Sequence, residues 1–360
     1  MNKTFKVDFV GRYTNPEMFT SGTGRYFLEL YKRLGSVLDI KIIDNSLYKL
    51  PFFKYTISSE IYKLKVLREH RRDSVMHILS NIDMSRLYRI YSDNTIVTCH
   101  DMVPFIYPEY YIGDKSALYE MIRAKKIITV SKASKNDIEK YLKIPSEKIQ
   151  VILQGVSNEF QPIKLEKNDI FVKHNIPRNR DIILYVGDEQ PRKNLSILIK
   201  SFYKLKKINT NVMLLKVGKS GWPGSRDLLK KLIFNLKLEK DIFFIDYVPF
   251  EDLPKLYSIA SLFVFPSLYE GFGIPPLEAM ACGVPVITSN TSSLPEIVGD
   301  AGSMVDPCDI DELTKAMNEI IITDGLRKDM IKKGLERAKL FSWDKTAKET
   351  LKVYEEVYNE

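Results

Sequence analysis

The segment Tyr269-Glu-Gly-Phe-Gly-Ile-Pro-Pro-Leu-Glu278 sets two carboxylates, Glu270 and Glu278, on either side of a glycine-and-proline turn. Paired glutamates suggest a glycosidase-type acid and base, but such enzymes draw their carboxylates from separate elements about 5–9.5 Å apart. Glu278 instead falls just inside a helix that the sequence starts near Pro275-Pro276. The amides of Phe272, Gly273 and Ile274 then lie at the open end of that helix, where backbone N–H groups and the helix dipole suit a diphosphate. Glu278 is placed to accept hydrogen bonds from ribose hydroxyls, and Glu270 to meet a sugar beyond the phosphates. The pattern reads as a nucleotide-sugar site; the bland alternative is a strand-turn-helix corner with solvated glutamates.

Three other strand ends carry candidate chemistry. Tyr185-Val-Gly187-Asp-Glu-Gln-Pro-Arg192-Lys193-Asn-Leu195 joins a strand to a helix with two adjacent cations on the turn. Cations at a helix N-terminus oppose its dipole, and a broken local rule tends to mark function; Arg192 or Lys193 beside a diphosphate would neutralise charge on the leaving group. Val97-Thr-Cys-His100-Asp101-Met-Val-Pro104 puts a histidine and a carboxylate at the carboxyl end of a buried strand, where ligands of open parallel sheets bind. His100 suits a sugar hydroxyl or phosphate, and Asp101 either fixes the loop or binds a hydroxyl. Gly22-Thr-Gly24, before a helix expected near Arg25, lets backbone amides approach a ligand, yet Phe27 stands where a dinucleotide fingerprint needs its third glycine. His70, His77 and His174 read as structural.

These turns need strands and helices to hold them. Short β-branched runs at 7–10, 40–43, 75–79, 95–99, 127–131 and 149–153 alternate with helical patterns, then a polar stretch at 160–180 with Pro162 and Pro177 precedes a second series at 182–187, 212–217, 242–245, 262–265 and 284–288. This alternation specifies α/β architecture with doubly wound parallel sheets, in two domains of similar size. After Phe341 a helix with Ser342 as N-cap closes the chain.

The 360 residues, 44% hydrophobic and 28% charged, make an ordinary globular composition. No apolar run is long enough for a signal peptide or membrane span, so a cytoplasmic protein is expected. Cys99, Cys282 and Cys308 form no paired framework and are expected as buried thiols without a metal. A net charge of +8 suits a phosphate-bearing substrate, an anionic membrane or nucleic acid. The densest basic stretch, Lys63 to Arg72, places Ile61, Leu64 and Leu67 on one helical stripe, either packed on a domain or facing acidic lipid headgroups. Nucleic acid is disfavoured, because no basic face carries interleaved aromatics.

Taken together, Ser21-Gly22-Thr-Gly24-Arg-Tyr, Val97-Thr-Cys-His100-Asp101-Met-Val-Pro, Ile127-Ile-Thr-Val-Ser131, Val151-Ile-Leu-Gln-Gly155-Val, Val186 to Leu195 and Pro266 to Glu278 resemble, in order and over nearly the whole chain, the retaining GT-B glycosyltransferases of family 4. The Glu-x7-Glu element followed by Ala279-Met-Ala-Cys-Gly283-Val-Pro-Val is the most specific part, and Arg192-Lys193-Asn194 resembles the branch that builds O-antigen and related cell-surface glycans.

The resemblance implies two Rossmann-like domains facing across a cleft: an acceptor-side domain of residues 1–158 plus 343–360, and a donor-binding domain of 159–342. It implies transfer of a hexose, of mannose or glucose type, from a GDP- or UDP-linked donor to a sugar or lipid-linked glycan, without cofactor or metal, by a protein cytoplasmic or peripheral at the inner membrane surface. Catalytic roles are implied for His100, Glu270, Lys193 and Arg192. Donor contacts are implied for Gly22, Gly24, Gly187, Phe272, Gly273, Ile274 and Glu278, and an acceptor-side place for Asp101. Many relatives carry a separated arginine where this chain has Asp188, so Arg192 is its expected substitute. Acceptor choice is expected in the loops at 14–20, 44–54 and 105–114. A nucleotide-sugar 2-epimerase of the same architecture, or a non-catalytic sugar-nucleotide or nucleic-acid binder, are the alternatives.

Overall fold

The structure, a computed structural model, describes residues 5–11, 22–44, 55–87, 90, 93–111, 115–164 and 169–360, without the side chains of 55–59, 84–86, 117 and 169. Of the loops expected to choose the acceptor, 14–20, residues 45–54 of the second and residues 112–114 of the third lie outside the described residues. The chain folds as two units, Met1–Gly155 with Ser342–Glu360, and Val156–Phe341.

Unit 1 runs β1 (Lys6–Gly11), α1 (Gly22–Leu34), β2 (Asp39–Asp44), α2 (Tyr55–Glu69), β3 (Ser74–Ile78), β4 (Thr95–Cys99), α3 (Val103–Ile106), β5 (Lys126–Thr129), α4 (Lys132–Leu142) and β6 (Ile149–Val151). Its strands pair in parallel in the order β2-β1-β3-β4-β5-β6. Alternation of side chains feeds two cores: Val10, Met76, Val97 and Ile127 pack on one face, and Val7, Phe9, Val75 and Ile96 on the other. Helix α1 begins at Gly22, three residues before the expected start, so Gly22 and Gly24 occupy its first turn.

In α2 the Ile61, Leu64 and Leu67 stripe is not the one packed on the domain. Tyr62 and Val66 are buried, whereas Leu64, Leu67 and, less fully, Ile61 face solvent. Apolar residues on both sides of this helix make its spacing a poor guide to which stripe packs inward.

Unit 2 holds α5 (Asp169–Lys173), β7 (Asp181–Val186), α6 (Leu195–Ile208), β8 (Val212–Val217), α7 (Ser225–Asn235), β9 (Ile242–Ile245), α8 (Leu253–Ser258), β10 (Leu262–Phe265), α9 (Ile274–Ala281), β11 (Val286–Ser289), α10 (Leu294–Val298), β12 (Ser303–Val305), α11 (Ile310–Ile322) and α12 (Asp324–Ala338). The parallel order is β12-β11-β10-β7-β8-β9. The chain winds outward from β7 to β9 and returns to β10 on the other side of β7. The strand order therefore reverses between β7 and β10, and the crevice at their carboxyl ends is where an open sheet of this kind takes ligand.

The last helix, α13 (Trp343–Asn359), belongs to unit 1. The Ser342 hydroxyl accepts from Asp344 N–H as its N-cap, and Trp343, Val353, Tyr354 and Val357 enter the unit 1 core. Tyr354 Oη lies 2.6 Å from His77 Nδ1, and Thr98 Oγ1 lies 2.7 Å from the other ring nitrogen. Burial drives the pKa of His77 down to about 3, so this histidine is a neutral structural bridge. Among the described residues no helix is long and apolar enough to cross a membrane.

Candidate donor-sugar site

The turn after β7 brings its two cations to the carboxylate after β10. Lys193 Nζ donates to Glu270 Oε1 at 2.6 Å, and Arg192 Nη1 lies 3.4 Å from Glu270 Oε2. Backbone and side-chain bonds fix this geometry. Leu268 N–H donates to Arg192 O at 2.8 Å, and Arg192 Nη1 donates to Tyr269 O at 2.9 Å. Asn194 adopts a left-handed backbone (φ 61°) and donates through Nδ2 to Pro266 O and Pro307 O, at 3.1 and 2.7 Å. Asn is one of the few side chains that tolerates this conformation, and its amide ties the cation turn to the end of β10.

Lys193 and Glu270 are both more than nine-tenths buried. Burial works to raise the Glu270 pKa, but Lys193 and Arg192 outweigh it and hold the carboxyl below its usual range. Glu270 is thus an ionised, paired carboxylate. Two cations against one carboxylate leave a local excess of positive charge suited to an anionic ligand.

Beyond Glu270 the chain turns sharply into α9. Gly273 sits at φ 116°, a conformation that L side chains rarely adopt and glycine takes readily; a Cβ there would also come within 2.9 Å of Leu294 Cδ2, which would have to shift. Ser293 Oγ donates to Glu270 O and Phe272 O at 2.9 and 2.6 Å, and Glu270 N–H donates to Ser292 Oγ at 3.0 Å. Ile274 opens α9, Phe272 is buried just before it, and Glu278 lies one turn in. Glu278 Oε2 accepts from the Tyr257 hydroxyl at 2.8 Å, which fixes the carboxylate's orientation. Gly187 follows β7 directly, its N–H bonded to Val217 O at 2.9 Å. Asp188 binds its own loop, accepting from Gln190 N–H at 3.1 Å, and Arg192 is the arginine that reaches Glu270.

Unit 1 places His100 at the end of β4 with both ring nitrogens engaged. Nε2–H donates to Leu79 O at 2.9 Å, so Nδ1 carries the lone pair, and Gln154 Nε2 donates to it at 3.3 Å. Tyr26 meets the ring edge-on, with centroids 5.0 Å apart. Burial lowers the His100 pKa, although the bond to Leu79 works against it. Free donation from His100 to a ligand, as the sequence suggests, is therefore not available in this arrangement. Asp101 fixes its loop: Oδ1 accepts from Val103 N–H at 3.1 Å and its carbonyl accepts from Asn81 Nδ2 at 2.9 Å.

Sequence reasoning missed Tyr257, Asn194, Ser293 and Gln154, whose partners are distant in sequence. It also missed a charged group at the carboxyl ends of β7, β8 and β9: Lys216 Nζ lies 2.7 Å from Glu189 Oε1, Arg226 Nε donates to the same oxygen at 2.8 Å, and Arg226 Nη2 reaches Asp246 Oδ1 at 2.5 Å. The one available signal was a lysine inside the apolar run of β8. Of the three thiols, Cys99 and Cys282 are buried as expected, but Cys308 is exposed, because it lies in the turn that Asp306 Oδ1 closes on its N–H at 2.7 Å. Among the described residues no three His, Cys, Asp or Glu side chains gather into a metal-holding group.

Comparison with known proteins agrees with this architecture. The O-antigen chain mannosyltransferase B of Escherichia coli is 32% identical over 370 residues, covering 93% of this chain and 96% of that protein. Serotype-specific mannosyltransferase WbdA of Escherichia coli is 31% identical over 268 residues, which is 70% of this chain and 32% of that longer protein. Among solved structures, sucrose-phosphate synthase from Thermosynechococcus elongatus superposes with a TM-score of 0.81 at 22% identity, covering 99% of each chain. HepE from Anabaena, solved with UDP and glucose, gives 0.76 at 18% identity over 98% of this chain and 100% of that one. Residues 17–160 match Glycosyltransferase Family 4 and residues 166–337 match Glycosyl transferases group 1. With a relative this similar over nearly its whole length, the chain belongs to the family 4 glycosyltransferases of GT-B fold.

Proposed function

We propose that this glycosyltransferase moves a mannosyl residue from a nucleoside-diphosphate donor to a glycan acceptor, with retention of anomeric configuration and without a metal ion. The Lys193–Glu270–Arg192 arrangement at the strand-order reversal of unit 2 carries this reading. Lys193 and Arg192 take the diphosphate, together with the amides that open α9. Glu278, oriented by Tyr257, takes the ribose, and Glu270 takes hydroxyls of the donor sugar. Mannose is favoured over glucose because the O-antigen chain mannosyltransferase B matches over 93% of this chain.

As the bond from the anomeric carbon to the phosphate oxygen breaks, the acceptor oxygen bonds on the same face, and its proton passes to the departing phosphate. The two cations stabilise the charge gathering on that phosphate, so electrostatics and positioning supply the catalysis. His100, held neutral and bonded on both ring nitrogens within unit 1, fixes the shape of the loop after β4. The acceptor is assigned to unit 1, and the outward stripe of Leu64 and Leu67 on α2 suits a lipid-linked acceptor.

Incubation of the full chain with labelled nucleotide sugars, excess chelator and a mannan-type acceptor tests the reading. Transfer of mannose with retained configuration supports it. Formation of an altered free nucleotide sugar without acceptor, or transfer that requires an added divalent ion, overturns it.

A further inference from the structure

Asp246 is the first residue after β9, and the connection that follows it, through the turn Phe250–Asp252, leads directly into α8, whose Tyr257 holds Glu278. On the proposed donor site, with the ribose at Glu278, a base turned toward β9 would lie over this connection. Along the sheet, β9 stands three strands from β10, roughly 14 Å at about 4.8 Å per strand, which is within reach of a nucleoside diphosphate lying across the strand ends.

Two side chains at that end have the chemistry of base recognition. The Asp246 side chain is 62% exposed, yet it is not loose: Arg226 Nη2 holds Oδ1 at 2.5 Å. Arg226 is fixed in turn, its Nε bonded to both oxygens of buried Glu189 at 2.8 and 3.0 Å and its guanidinium over the Phe244 ring at 4.6 Å. Glu189 is locked from behind by Lys216, which is itself almost wholly buried and also donates to Lys219 O at 3.1 Å. Burying a lysine and a glutamate costs desolvation, offset here by forming a rigid mount for one outward carboxylate. Among the described residues Asp246 Oδ2 makes no hydrogen bond. Beside it Tyr247 exposes its ring, with Lys219 Nζ 5.8 Å from the centroid.

A fixed carboxylate accepts two parallel N–H donors well and repels carbonyl oxygens. Guanine offers such a pair in N1–H and the 2-amino group. Uracil offers one N–H flanked by two carbonyls. We infer that Asp246, mounted on Arg226, Glu189 and Lys216, reads the donor base, selecting a guanosine diphosphate over a uridine diphosphate, with Tyr247 as the stacking surface. Arg226 keeps the Asp246 carboxyl below its usual pKa, so it is ionised throughout the neutral range. This inference rests on the donor site proposed above.

Calorimetric titration of the full chain with GDP, inosine diphosphate and UDP is the test. Inosine diphosphate keeps N1–H but lacks the 2-amino group. GDP is expected to bind at least about tenfold more tightly than UDP, with inosine diphosphate between them. Asp246→Ala and Asp246→Asn should bring GDP and inosine diphosphate to equal affinity, while UDP binding is unchanged or improved and melting is unaltered. UDP binding as tightly as GDP, or a GDP-to-inosine ratio that survives both substitutions, overturns the inference and leaves the donor site standing. No binding of any of the three overturns the donor site as well.

Discussion

The ammonium of Lys193 lies 2.6 Å from Oε1 of Glu270, although the two residues are 77 positions apart and sit on turns after different strands. Strands β7 and β10 are neighbours in the sheet although β8 and β9 separate them in the chain, and their pairing brings the two turns together. On the proposed donor site, the phosphate and Glu270 would compete for the same cation.

Removing either member then has distinct consequences. Lys193→Ala strips a desolvated contact from the diphosphate and strands a buried carboxylate, which costs about 2–5 kcal/mol in kcat/KM. Glu270→Gln releases the ammonium, so the free nucleoside diphosphate should bind as tightly or more tightly while kcat falls. Calorimetry and steady-state rates on the two variants separate these effects. A weaker nucleoside diphosphate affinity in Glu270→Gln would contradict the competition.

The same pair sets a pH dependence. The folded pKa of Glu270 is below its ordinary value of 4.5, so its contribution to stability is fully present above that value and is lost as pH falls through the lower, folded pKa. The stability difference between the native chain and Glu270→Gln should be level from about pH 7 to pH 5 and shrink only under more acid conditions. Denaturant unfolding across that range measures it; a difference that shrinks between pH 7 and 6 would refute the assignment.

Tyr257→Phe deletes the hydroxyl that orients Glu278 and keeps the ring, whose centroid lies 5.6 Å from that of Phe263. A loss of about 0.5–1.5 kcal/mol in nucleotide affinity is expected, with little change in kcat. Equal loss for the nucleotide and for inorganic diphosphate would show that Glu278 does not act at the ribose.

His100 should be neutral at pH 7 with its proton on Nε2, since burial lowers its pKa and Leu79 O can only accept. Nitrogen NMR of the ring should show that tautomer, with no titration between about pH 6.5 and 8. A midpoint inside that window would contradict the geometry. The Gly155→Ala variant is expected to melt lower, because its Cβ would stand 2.2 Å from the Trp343 backbone nitrogen.

Much of this was legible in the sequence. The β-branched runs located the strands because parallel strands covered on both faces read as continuous apolar segments; only β12, three residues long and partly exposed, escaped. Arg192 and Lys193 stood out because cations at a helix start break a local rule, and Glu270 and Glu278 because they flank a glycine-and-proline turn. What the sequence left hidden was pairing. Glu270 was expected to meet a sugar but not to hold Lys193, and His100 was expected to donate to a ligand but is bonded to Leu79 and Gln154. Lys216 passed as part of an apolar strand, since its partner Glu189 follows a different one. In α2 apolar residues on two sides left the buried stripe undetermined, and only packing of Tyr62 and Val66 resolved it.

The central claim is that the cations after β7 and the carboxylates around the α9 turn form the donor site of a mannosyl transferase. Single-turnover transfer from GDP-mannose to a mannan-type acceptor in chelator, compared between the native chain and Lys193→Ala at matched folding, tests it most directly. The account predicts transfer by the native chain and a loss of roughly thirtyfold or more in the variant. Native-like transfer by Lys193→Ala would contradict it.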